Sequence, residues 1–275
     1  MNKRWLITGS SRGLGLALAE AVLEAGDYAL VTARDTSSLR HLVERHGDHA
    51  RLVALDVTDP LAAARAVDVA VDAFGGIDVL VNNAGYGDVG SVEDTTLDDF
   101  RRQIETNLFG TIIVSKAVVP RMREQRSGHI IQLSSVGGRL GAPGRAAYSA
   151  AKWGVEGFSE SLALEMALVG VKVTIVEPGG FRTDFAGTST SLKEGRADYD
   201  AVVGAAARRQ RAYDGHQPGD PARAAQAIIR VASAMSPPLR VALGTDAFDA
   251  IERADRDRLE ERATWQALSR STDYP

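Results

Sequence analysis

The chain has no cysteine among its 275 residues, which removes disulfides, thiolate metal sites and cysteine nucleophiles together. It also lacks an excess of positive charge: 32 Lys+Arg stand against 36 Asp+Glu, a formal net charge of −4 with histidine neutral. A protein that neutralises nucleic-acid phosphates or an anionic membrane needs the opposite balance. No run approaches the roughly 20 apolar residues of a membrane span. The opening stretch from Met1 to Gly9 reaches a Gly/Ser turn too early to hold a signal-peptide core. These absences predict a cytoplasmic protein with no nucleic-acid, membrane or metal partner. What is present is a globular composition, 44% hydrophobic and 25% charged, able to bury a large core.

Short apolar runs alternate with amphipathic stretches. The runs are Arg4 to Thr8, Tyr28 to Ala33, Leu52 to Leu55, Val79 to Val81, His129 to Leu133, Val171 to Val176 and Leu239 to Leu243. Continuous runs suit strands covered on both faces, and the stretches between them suit crossover helices. Helical spacing is clearest over Leu14 to Ala25, Leu61 to Phe74, Leu97 to Met122 and Tyr148 to Leu168, with Gly26, Gly75 and Gly170 as stops. The expected fold is therefore α/β: a single Rossmann-type domain over 1–275, with a doubly wound parallel sheet of about seven strands flanked by helices. Its dinucleotide-binding and catalytic core spans 1–177. The segment Gly180 to Pro218 has few apolar residues and reads as a long excursion, the expected substrate lid. Asp220-Pro221 opens a helix running to Met235, and a charged helix over 246–270 closes the chain.

Chemistry concentrates where strands end. The first strand runs into Thr8-Gly9-Ser10-Ser11-Arg12-Gly13-Leu14-Gly15, where a helix begins. Glycines let a backbone turn tightly against a pyrophosphate, and a helix N-terminus presents free amides and a positive dipole end. An ordinary tight turn is the alternative. After the second strand comes Arg34, able to fork onto a 2′-phosphate, with Arg12 approaching the same place. If the strand ends two residues later, Asp35 instead serves as a ribose acceptor and NAD is the cofactor. Asp56-Val57 follows the third strand as an adenine contact or a helix N-cap, a place that Thr58 or Asp59 fills as well, and Asn82-Asn83-Ala84-Gly85 follows the fourth, against a dinucleotide or as a turn. Tyr148 and Lys152 lie four residues apart on one helix face. There an ammonium would lower the phenol from about 10 toward neutrality. Ser134-Ser135 ends the strand before that helix, so a hydroxyl and the phenol can share a carbonyl oxygen.

Taken together, these marks resemble the short-chain dehydrogenase/reductase family. The match runs from Arg4 to about Thr183, with a continuation to Leu243. It includes Asn107 in Asn107-Leu108-Phe109-Gly110, and Pro178-Gly179 with Thr183. The resemblance makes Ser135, Tyr148, Lys152 and Asn107 the catalytic set. It selects Ser135 over Ser134, thirteen residues before the tyrosine, and gives Asn107 a water that links Lys152 to solvent. Its implied cofactor contacts are Gly9, Ser11, Arg12, Gly13, Leu14, Gly15, Arg34, Asp56, Val57, Asn83, Ala84, Gly85, Tyr148, Lys152, Pro178, Gly179, Phe181 and Thr183. Here Lys152 would hold the nicotinamide ribose, and Thr183 with the backbone near Phe181 would hold the carboxamide. The basic residue after the second strand resembles NADP-preferring members.

The expected activity is hydride transfer between NADP(H) and the carbonyl or secondary alcohol of a small to medium, partly apolar substrate. Two alternatives stay open: an NAD-dependent alcohol dehydrogenase, and a non-catalytic NADP-binding sensor. Phe185 and Leu192 favour an apolar substrate, whereas Arg182, Lys193 and Arg196 leave room for an anionic one. The family also implies a homodimer or homotetramer built on the helices that hold Asn107 and Tyr148.

Overall fold

The computed structural model describes residues 2–185, 187 and 190–274. Its strands are β1 (Arg4–Ile7), β2 (Tyr28–Ala33), β3 (Ala50–Ala54), β4 (Val79–Asn82), β5 (Gly128–Leu133), β6 (Val171–Pro178) and β7 (Arg240–Leu243). Its helices are α1 (Gly13–Glu24), α2 (Arg40–His46), α3 (Pro60–Phe74), α4 (Leu97–Ile104), α5 (Gly110–Gln125), α6 (Ala146–Ala167), α7 (Ala205–Tyr213), α8 (Pro221–Ser233), α9 (Thr245–Thr264) and α10 (Gln266–Arg270). All seven strands run parallel in the order β3-β2-β1-β4-β5-β6-β7, the expected doubly wound sheet in one domain. The chain winds outward from β1 to β3, then returns through α3 to lay β4 beside β1. This reversal opens a crevice at the carboxyl ends of β1 and β4.

Alternation along each strand fills two cores. Trp5 and Ile7 face one side with Leu18, Val22 and Leu39. Leu6 faces the other with Val67, Val114, Ile130 and Leu162. Both faces are covered, which is why the strands read as continuous apolar runs. The expected caps form: Asp59 accepts from the Leu61 amide at 2.8 Å ahead of Pro60, and Asp220 does the same for Ala222 at 2.8 Å. Gly26, Gly75 and Gly170 all take left-handed backbone after their helices.

Three elements depart from expectation. The single helix anticipated over Leu97 to Met122 is broken by a π turn at Glu105–Phe109. There the Asn107 side chain donates to the Gln103 carbonyl at 2.9 Å, the acceptor that its own backbone amide would take in a regular helix, and the turn widens. The excursion contains α7, whose Ala-Ala-Ala-Arg-Arg-Gln-Arg-Ala-Tyr sequence buries only Ala207. Good helix formers make it, with no apolar stripe to announce it. The closing helix splits at Trp265 into α9 and α10. It packs on its own chain through Arg139, which bonds Glu177 at 3.0 Å and Asp255 at 2.7 Å. Among the described residues no helix is long and apolar enough to cross a membrane.

Candidate active site

A cleft of about 920 Å³ lies over the carboxyl ends of the strands. At one end the β1–α1 loop is folded against β4. Thr8 Oγ1 accepts from the amides of Asn83 at 2.9 Å and Ala84 at 3.0 Å, and Asn83 Nδ2 donates to the carbonyls of Thr8 and Gly9 at 2.9 Å each. Asn83, just after β4, is thus a brace for the glycine loop with its side chain facing that loop, whereas Asn82 ends β4 and donates to Ser115 and Gln132. Gly9 has φ +65, and a β-carbon there would lie 2.8 Å from Ala84 Cα, so only glycine lets the two segments meet. Gly15 sits behind the loop against the Gly9 carbonyl and Asn83. It does not line the cleft, whereas Gly9, Ser11, Arg12, Gly13 and Leu14 do.

The start of α1 has no side-chain cap and no acidic residue in its first turn, so its free amides and dipole face the cleft. β2 ends at Ala33 and Arg34 follows at once on the cleft wall. Asp35 is turned away, accepting from the Ser37 amide at 2.8 Å. Asp56 also lines the cleft and holds the amide of Thr58 at 3.0 Å. Those hydrogen bonds, and the charge of Arg34, keep its carboxyl below the ordinary range. From the far side of the cleft, Thr183 packs on Gly13.

At the other end, α6 presents Tyr148 and Lys152 on one face, both nearly buried at 8% and 5% exposure. Ser135, just after β5, accepts from the Gly137 amide at 3.0 Å and contacts the phenol. Gly87 and Gly137 lie on either side of the Tyr148 ring. A β-carbon at Gly87 would sit 2.7 Å from Tyr148 Cδ2 and one at Gly137 3.2 Å from Cε1, so the absent side chains form a slot for the ring. Phe185 tilts against the ring with centroids 5.8 Å apart.

The electrostatics differ from the expected pattern. Burial pushes the Tyr148 phenol above its ordinary 10, opposed by Ser135 and by the guanidinium of Arg145. Lys152 lies 5.8 Å from the ring centroid, but its Nζ donates to the Leu133 carbonyl at 2.6 Å. Burial lowers that ammonium to about 8, with Glu156 on the next turn opposing the shift. A second cation bears on the phenol: Arg145, whose Cζ also lies 5.8 Å from the ring centroid.

Asn107 is fully buried and off the cleft wall. Its Oδ1 accepts from the Tyr86 amide at 3.0 Å and its Nδ2 donates to the Tyr86 carbonyl at 2.8 Å. Pro178, Gly179, Phe181, Val57, Ala84 and Gly85 all line the cleft.

Among the cleft residues that escaped the sequence reading, Arg145, Gln210 and Gln217 carry no local pattern that separates them from surface polar residues. The cations weighed as anion contacts lie elsewhere: Lys193 pairs with Asp99 at 3.4 Å and Arg196 with Asp94 at 2.8 Å. Arg182 donates to the Gln217 carbonyl at 3.2 Å. Leu192 packs in a small cluster with Val89 and Val203, away from the cleft.

Comparison with known proteins agrees with the geometry. The short chain dehydrogenase family model matches residues 3–194. An oxidoreductase of Botryotinia fuckeliana, BOA17, is 47% identical over 270 residues, 98% of each chain. A crystal structure of a short-chain dehydrogenase from Streptomyces avermitilis superposes with a TM-score of 0.93 at 41% identity, covering 100% of both chains. The closed form of a serine dehydrogenase complexed with NADP⁺ superposes with a TM-score of 0.75 at 26% identity, over 87% of this chain and 93% of that one. With a sheet that reverses at β1 and β4, a glycine loop braced there and a serine, tyrosine and lysine converging beyond it, this chain belongs to the short-chain dehydrogenase/reductase family of oxidoreductases.

Proposed function

We propose that the protein interconverts a carbonyl group and a secondary alcohol on a small to medium, partly apolar substrate, with NADP(H) as cofactor. The observation that carries this reading is the convergence of Ser135, Tyr148 and Lys152 at one end of a cleft whose other end is an uncapped helix start beside Arg34. The free amides of α1 and the cradle that a β-carbon at Gly9 would fill suit a pyrophosphate. Arg34 and Arg12 would take a 2′-phosphate, Asp56 and Val57 the adenine edge, and Asn83 to Gly85 the floor. Lys152 would hold the ribose, and Pro178, Gly179, Phe181 and Thr183 the carboxamide. Gly15 supports the loop from behind. Arg34 on the wall, with Asp35 turned to Ser37, favours NADP over NAD.

A nicotinamide held there supplies or accepts the hydride. Ser135 and Tyr148 hydrogen-bond the substrate oxygen, and in reduction Tyr148 gives its proton to that oxygen as charge develops. A phenol raised by burial stays protonated at neutral pH, which suits the donor role. Asn107 braces the Tyr86 backbone beside the proposed proton path from Lys152. Residues 180–218 form the proposed lid: Phe181, Phe185, Tyr213 and Gln217 from this segment all face the cleft. A homodimer or homotetramer would cover Phe109 and Leu164, which are exposed on the π turn and on α6.

The test is turnover of ketone, aldehyde and alcohol panels with NADPH, NADP⁺ and NADH, in the wild type and in Tyr148→Phe. The variant should lose about 10²–10⁴-fold in kcat while still binding NADPH. Full activity in Tyr148→Phe refutes the proton-transfer role. NADPH binding without turnover across the panels would instead support a sensor.

A further inference from the structure

We propose that Arg145 is an anion anchor for the substrate, so that the compound reduced here is an oxo acid whose carboxylate lies a few bonds from its carbonyl. This rests on the carbonyl-reductase reading of the same cleft and adds the substrate's chemical class.

Arg145 is the residue just before α6, three positions ahead of Tyr148. Its guanidinium lines the cleft and lies 5.8 Å from the Tyr148 ring centroid, at the end where the substrate carbonyl must sit. Among the described residues it makes one hydrogen bond, Nη1 to the Gly87 carbonyl at 3.0 Å, and no carboxylate there lies within ion-pair distance of it. The acidic group facing it, Asp88, stays beyond that distance and accepts from the Ser191 amide at 2.8 Å. Asp246, elsewhere on the cleft wall, is turned to the Gly180 amide at 2.7 Å. A guanidinium carries five N–H donors, and a partly buried one costs free energy unless they are satisfied. Burial accordingly disfavours the charged form of Arg145.

The other cleft arginines differ. Arg102 is bonded to Asp99, while Arg12 and Arg34 stand at the glycine-loop end. A second polar group of the cleft wall is also unpaired. Gln217 lines the cleft at 1% exposure with neither its amide nitrogen nor its oxygen hydrogen-bonded, although buried amides are nearly always paired. A carboxylate matches the planar fork of Arg145 in bidentate fashion. The aromatic rings of Phe185 and Tyr148 then flank the carbon skeleton between carboxylate and carbonyl.

The test compares NADPH oxidation by 2-oxobutanoate and 4-oxopentanoate with that by their methyl esters, in wild type, Arg145→Met and Arg145→Lys. Intrinsic carbonyl reactivity of each acid and ester is the same in every variant, so the change in their kcat/KM ratio between wild type and variant isolates the charge contact from any effect on the phenol. The wild type should favour at least one acid over its ester by about tenfold to a hundredfold, the range for a charge-assisted contact. Arg145→Met should abolish that preference, and Arg145→Lys should retain part of it. A wild type that prefers both esters, or a Met variant that lowers acid and ester equally, overturns the proposal and leaves the reductase reading intact. If no carbonyl compound is turned over, the same pairs are compared by binding to the NADPH-loaded protein. Arg145-dependent binding of an acid then upholds the anchor while the reductase reading fails, and equal binding of acid and ester overturns the anchor.

Discussion

Replacing Lys152 by methionine tests the electrostatic state of the site without any substrate. In the folded chain burial lowers this ammonium from its ordinary 10.5 to about 8. Between those two values the unfolded chain holds a proton that the folded chain has released, so folding stability rises with pH across that window. The fall from 10.5 to about 8 corresponds to about 3 kcal/mol, at about 1.36 kcal/mol for each tenfold change in proton affinity. Below pH 8 both states carry the proton, the slope vanishes and the folded state bears the whole penalty. Lys152→Met lacks this titration. Losing the 2.6 Å bond to the Leu133 carbonyl shifts the variant's stability by an amount that does not vary with pH, so it drops out of the slope. Urea denaturation of the cofactor-free proteins from pH 7 to 10.5 should therefore give a difference curve, wild type minus variant, that is flat to pH 8 and then climbs by about 3 kcal/mol. Parallel curves over the whole range would show that the buried ammonium carries no such penalty, and the reasoning about the site's electrostatics would fail.

Other outcomes follow from the same geometry. Arg34→Ala should weaken NADPH binding about tenfold to a hundredfold and leave NADH binding unchanged in fluorescence titrations; equal loss for both cofactors would rule out a 2′-phosphate contact. Gly87→Ala puts a carbon 2.7 Å from the Tyr148 ring and 3.0 Å from Arg145 Nη1. The ring must shift, and kcat should fall about 10–100-fold with thermal unfolding little changed; an unaltered kcat would mean that the glycine slot does not fix the phenol. His129 is buried with a pKa lowered to about 4. The unfolded chain takes up its proton near pH 6.5 and the folded chain only near 4, so this residue removes up to about 3 kcal/mol of stability as pH falls through that window. His129→Gln should flatten the acid side of the stability curve by that amount, and an unchanged acid limb would contradict it.

Local signals in the chain were sufficient for much of this molecule. The run Tyr28 to Ala33 is β2 residue for residue, because a strand covered on both faces carries no charged position to blur its ends. Asp59-Pro60 and Asp220-Pro221 start helices where expected, since a cap acts within two or three residues. The four-residue offset of Tyr148 and Lys152 fixes their common helix face, and strand-to-helix boundaries place Ser135 and the glycine loop at the same sheet edge. Other features involve contacts between distant segments. The Asn107 amide in the π turn also reaches back to Tyr86, and α7 is held by Arg208 and Arg211 reaching Glu194 rather than by an apolar stripe.

What the sequence by itself determined is the order of elements, the sheet edge on which chemistry gathers and the residue types gathered there, since periodicity, capping and turn preference all act over a few residues. Only the tertiary structure decided which charge meets which. It set Lys152 on the Leu133 carbonyl and paired Lys193 and Arg196 with carboxylates elsewhere. Burial and long-range neighbours set the energy of a charge, and neither is written in local spacing.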